Sequence, residues 1–155
     1  MQFSSNEDIE APISSVFAML SEFEAYERSA IRRGIEVRRV DETAPDSVGL
    51  TWDARFSLRG KPRDVRLKLA DFEPPNNMRI EADSQGLDGL LTLELLALSS
   101  SRTRMSVVLN LAPKTLSARL LVQSLKLAKS NLTKRFKQKV ADFAKNVEDR
   151  NSRMA

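Results

Sequence analysis

A strand-rich middle followed by a long basic stretch without glycine constrains this chain more than any single motif. From about Lys114 to Arg150 no glycine occurs and Pro113 stands just before the start, so nothing in the stretch breaks a helix. The spacing predicts one uninterrupted helix there. Leu121, Val122, Leu125, Leu132, Phe136, Val140, Phe143 and Val147, with Ala128 beside them, fall in one broad apolar stripe along it.

Upstream the period is two. Ile35 and Val37 open it, and Val48, Leu50, Trp52, Ala54, Phe56 and Leu58 follow, alternating with Gly49, Thr51, Asp53, Arg55 and Ser57. Val65, Leu67 and Leu69 repeat the pattern after the turn Arg59-Gly60-Lys61-Pro62, and Met78, Ile80 and Ala82 repeat it after Glu73-Pro74-Pro75-Asn76-Asn77. Gln85 to Gly89 reads as a further turn. Leu90 to Leu98 then forms a strand with Leu91, Leu93 and Leu95 inward, and Met105, Val107, Leu109 and Leu111 mark the last strand. Before the sheet, Phe3 to Ile9 reads as an opening strand. Two short helices follow, one after Pro12 with Val16, Phe17, Met19, Leu20 and Phe23 at helical spacing, and one from Phe23 to Arg33 that stops at Gly34.

Strands joined by short polar turns make an antiparallel meander, and one apolar face per strand needs one cover. The expected fold is therefore α+β: a curved antiparallel sheet of about seven strands, with two short helices after strand 1, wrapped around a long C-terminal helix. Residues 1–150 read as a single domain and 151–155 as a tail. A chain of 155 residues with 41% hydrophobic and 30% charged residues buries a sizeable core without metal or disulfide staples.

Histidine and cysteine are both absent. That excludes Ser-His-Asp and Cys-His sites, disulfides, and the usual nitrogen and sulfur ligands of zinc. Neither GxxxxGK[ST] nor GxGxxG occurs among the five glycines. No cofactor and no metal are expected, and the balance tilts from catalyst to binder. The opening MQFSSNEDIEAP has no basic flank and no apolar run, so it does not read as a signal peptide, and no stretch reaches the length of a membrane span. The expected location is cytoplasmic.

Several turns and helix starts carry a resemblance. The opening Ile9-Glu10-Ala11-Pro12 with Val16-Phe17 beyond it, the Arg59-Gly60-Lys61 turn, Asp71-Phe72-Glu73-Pro74-Pro75, and Arg102-Thr103-Arg104 entering the last strand resemble the SRPBCC helix-grip superfamily. That superfamily includes START lipid-transfer domains, pollen-allergen-like proteins and polyketide cyclase/dehydrase-like proteins. The resemblance covers nearly the whole chain and implies a cavity between the sheet and the last helix, holding a lipid, sterol, polyketide, quinone or similar apolar molecule. Families sharing this shape differ in function.

On that reading the cavity is lined by Tyr26, Trp52, Phe56, Leu67, Met78, Ile80, Leu93, Met105, Val107, Leu121, Leu125 and Leu132. The same apolar residues also suit a filled core, and composition does not separate the two. Tyr26, the sole tyrosine, offers a hydroxyl to a ligand or serves as an amphipathic plug. The leading expectation is a non-catalytic carrier of a hydrophobic small molecule. A polyketide cyclase-like enzyme is the alternative and would have to use Tyr26, Glu27 or a positioned water; Asp53 and Glu94 point outward on the alternation argument.

Charge is uneven. Residues 1–113 carry 14 basic and 18 acidic side chains, and residues 114–155 carry 11 and 3, so a net −4 body joins a net +8 tail. A basic helix steers towards anionic lipid, nucleic acid or an acidic partner, although sparse aromatics and an acidic body argue against nucleic acid. Leu116, Leu120 and Leu127 project opposite the inward stripe and need a cover, from within the chain, from a second copy in a homodimer, or from a membrane surface. The shortness of the patch favours the first two.

Overall fold

Residues 1–154 are described in a computed structural model of the chain, and its strands follow the alternation. Strand β1 (Gln2–Ile9) leads into helices α1 (Ile13–Leu20) and α2 (Phe23–Arg32), then β2 (Glu36–Arg39), β3 (Thr51–Leu58), β4 (Lys61–Glu73), β5 (Asn77–Ser84), β6 (Leu87–Ser99) and β7 (Arg102–Pro113). Helices α3 (Leu116–Leu127) and α4 (Lys129–Met154) close the chain. The strands form one seven-stranded antiparallel sheet in the order β1-β7-β6-β5-β4-β3-β2. The first strand thus returns to pair with the last, and the rest is a meander.

Two hairpins owe their tightness to backbone chirality. Arg59 and Gly60 both have positive φ (54° and 78°), as do Gln85 and Gly86 (51° and 86°). Two consecutive left-handed residues between antiparallel strands make the turn whose twist matches the sheet. The second turn is shorter than the sequence suggests: it ends at Gly86, and Gly89 lies inside β6 opposite Ala82 and Leu111.

The expected single C-terminal helix is interrupted. Ala128 leaves helical geometry at φ −103° and ψ 13°, and its N–H bonds back only three residues, to the Leu125 carbonyl. Neither glycine nor proline is responsible; the two segments have different packing partners. Helix α3 lies against β7, burying Ala118 and Val122, whereas α4 lies against β1 and α1, burying Val140, Ala144 and Val147. The break thus falls between two packing surfaces, in a stretch whose local propensity is helical throughout.

The dry core sits between α1, α2, the far half of α4 and one end of the sheet. Ile9, Ala11, Val16, Leu69 and Thr103 are wholly sealed there. Thr103 is polar, and its hydroxyl donates to the Ala11 carbonyl at 2.8 Å, which satisfies both groups and ties the entry of α1 to β7.

Candidate functional site: an apolar trough on the concave face

Strand register sorts the concave face into rows that cross the sheet, and burial differs from row to row. Nearest α1, Leu95 and Met105 are buried, as are Met78, Leu93 and Val107 in the next row. In the row beyond, Leu69 is sealed, but its cross-strand neighbours Ile80, Leu91 and Leu109 are only half-buried. One row further, Trp52 remains buried while Leu67, Ala82, Gly89 and Leu111 are half-buried. Val65 and Phe56, at the outer margin, are half-buried too. Side chains that point inward yet stay within reach of solvent border space and not packing atoms. The concave face is therefore sealed towards α1 and only partly covered in the rows of Ile80 and Leu67, which make a shallow apolar trough bounded on its far side by the buried Ala54 and Ser84.

Small residues deepen it. Ala82 and Gly89 face each other across β5 and β6 in the middle of the open row, between Leu67 and Leu111. A side chain at Gly89 would start 3.3 Å from the Ala82 Cβ and 3.5 Å from Leu111, so the missing bulk belongs to the concave side.

The β3–β4 hairpin and α3 frame the far side. Arg59, at the hairpin tip, donates to the Ser124 hydroxyl of α3 at 2.6 Å. Because the flank of α3 bearing Ser124 thus faces the hairpin, the half-buried Leu121 and Leu125 beside it border the gap between the two elements. Leu132 and Phe136 continue the half-buried stripe along α4.

Of the residues expected to line a cavity, Phe56, Leu67, Ile80, Leu121, Leu125 and Leu132 lie half-buried around the open part. Met78, Leu93, Met105 and Val107 are buried in the rows towards α1, and Trp52 sits at the boundary. The Trp52 indole Nε1 is buried and, among the described residues, has no hydrogen-bond partner.

Tyr26 stands apart from this group. The residue is 42% exposed, and its hydroxyl donates to the Met19 carbonyl at the α1–α2 corner; burial of the hydroxyl, chiefly, and the nearby Glu22 charge push its pKa up. Val65, Ala82, Gly89, Leu91, Leu109 and Leu111 belong to the trough and were not among the expected lining residues. Alternation already turns most of them inward, but their row, and hence their exposure, depends on strand register.

Of the carboxylates considered for acid–base work, Glu27 and Asp53 are engaged in ion pairs away from the trough. Both Glu27 oxygens accept from the Arg39 guanidinium at 2.8 to 3.1 Å, and Asp46 accepts from the same group at 2.7 Å. These bonds, Glu27 first, raise the Arg39 pKa. Asp53 lies on the outer face, paired with Arg66 at 2.9 Å and with Arg38 at 3.5 Å; the Arg66 hydrogen bond above all holds its carboxyl below the ordinary range. Glu94 is exposed.

Two wider concavities, of about 900 and 510 Å³, lie on the convex face over β2–β7. Their walls include alternating charges from neighbouring strands, among them Arg38, Asp53, Arg66 and Asp83 in cross-strand register. These are open furrows over a solvated charge ladder, unsuited to an apolar guest.

No protein-family profile matches the chain, and no curated protein does. Solved structures do. The aromatase/cyclase Zhui from Streptomyces sp. R1128 superposes with a TM-score of 0.67 at 11% identity, covering 97% of this chain and 94% of that one. Ara h 8.0201 gives 0.58 at 14%, covering 96% and 95%, and a START superfamily protein from Mycobacterium smegmatis gives 0.56 at 13%, covering 86% and 95%. The chain has the SRPBCC-type helix-grip fold. Identities this low carry the architecture and none of the neighbours' chemistry.

Proposed function

We propose that this protein binds an apolar small molecule in the trough between the concave sheet and α3–α4, without altering it. The observation that carries this reading is partial burial on the core face: inward-facing Phe56, Leu67, Ile80, Leu91 and Leu109 are only half-buried. Enclosing an apolar guest there removes that surface from water at roughly 25 cal/mol per Å², before ordering costs. Coordination of Glu27 by Arg39 and donation by Tyr26 to a backbone carbonyl leave both groups poorly placed as general acid or base, which supports a container over a cyclase.

Ala82→Phe tests the reading. An added ring in a sealed core costs about 1–3 kcal/mol, whereas in the trough it occupies the guest's space. The expected outcome is a melting temperature no lower than wild type, together with loss of any small molecule that native mass spectrometry finds on the wild-type protein. A strongly destabilised variant, or one that keeps the same bound species, contradicts the proposal.

A further inference from the structure

We infer that the outward face of α3 docks on an anionic membrane surface. Leu116, Leu120 and Leu127 are 73%, 60% and 92% exposed, so nothing among the described residues covers them. At 100° per residue they project within about 40° of one another, forming a single stripe. Arg119 and Lys126 lie together along one side of that stripe, and Lys129 follows at the start of α4. Among the described residues the ion pairs of this region are Lys114 with Asp88 and Arg150 with Glu22; Arg119, Lys126 and Lys129 have none.

Charge decides between occupants. From Thr115 to Ala141 the sequence contains no acidic residue, so a second copy meeting this face about a two-fold axis would set like charges against each other. Nucleic acid would satisfy the cations but leave the leucines in water, and α3 has no aromatic ring for bases to stack on. A bilayer with anionic headgroups satisfies both: the leucines enter the acyl boundary while the cations meet phosphate. Helix α3, with 12 residues, spans about 18 Å and lies flat on such a surface. This inference does not require a guest in the trough.

Sedimentation of the whole protein with vesicles tests it, comparing phosphatidylcholine alone with phosphatidylcholine plus phosphatidylglycerol. Partitioning is expected only onto the anionic vesicles, and it should fall steeply with added salt. Leu120→Ser with Leu127→Ser should weaken it at least about ten-fold, and Arg119→Gln with Lys126→Gln about twenty- to thirty-fold. These four side chains are exposed, so circular dichroism should stay unchanged; if a double variant loses helix, Leu127→Ser and Lys126→Gln alone carry the comparison. Absence of binding, equal binding to both vesicle types, or binding indifferent to the leucines overturns the inference. So does a dimer seen by light scattering that the leucine changes dissolve while vesicle binding is absent.

Discussion

A buried donor without an acceptor costs about 1–3 kcal/mol, and the Trp52 indole N–H is such a donor. If a guest's oxygen completes it, Trp52→Phe should lower affinity for a carbonyl- or hydroxyl-bearing guest about ten-fold, yet leave a hydrocarbon of the same size within about two-fold. Calorimetric titration of the two guest types separates these outcomes; equal losses for both would mean that the ring matters only as bulk. Alternation along β3 was enough to turn Trp52 inward from sequence. That its nitrogen is orphaned was not legible, because it depends on every neighbour from α2, β2 and β4. Tyr26 shows the same limit: its helix was legible, but its hydrogen bond to Met19 rests on the α1–α2 corner angle.

Helix α3 starts where it does because of a turn in the sheet. Gly86 accepts from the Lys114 N–H at 2.7 Å, and a Cβ on Gly86 would fall 2.5 Å from Thr115, whose hydroxyl caps the helix by accepting from the Ala118 N–H. Gly86→Ala therefore strains a backbone at φ +86° and displaces a cap. A loss of about 2–3 kcal/mol is expected in denaturant unfolding, with faster hydrogen exchange concentrated in α3. Uniform loss of protection would show that the turn serves the sheet alone. Pro113 and the glycine-free run marked this helix region from sequence, and the alternating residues marked the strands. The break at Ala128 left no such mark, since it separates a segment packed on β7 from one packed on β1 and α1.

At the level of the whole molecule, one ion pair ties the far end of α4 to the α1–α2 corner. Arg150 donates to both Glu22 oxygens at 2.6 and 2.9 Å, and this hydrogen bond holds the Glu22 carboxyl below its ordinary value of 4.5. A carboxyl lowered in the folded state adds stability above its unfolded value and loses it as pH falls through the folded one. The melting temperatures of wild type and Glu22→Gln should therefore differ at about pH 6 and converge towards about pH 3; a constant gap would assign the effect to packing. This clamp lies on the sealed side of the trough, away from the Arg59–Ser124 contact on the far side. The inward face of each strand was legible from parity and the meander from the short turns, but the pairing of β1 with β7 was not. Nor was it legible which rows stay only partly covered, because that follows from where α3 departs from α4. Trp52 is the only tryptophan and stands at the boundary between sealed core and trough, so its emission reports directly on occupancy. Titration with a brominated long-chain alcohol should quench that emission saturably in wild type and not in Ala82→Phe. Absence of saturable quenching, or equal quenching in the two proteins, would contradict a guest-binding trough.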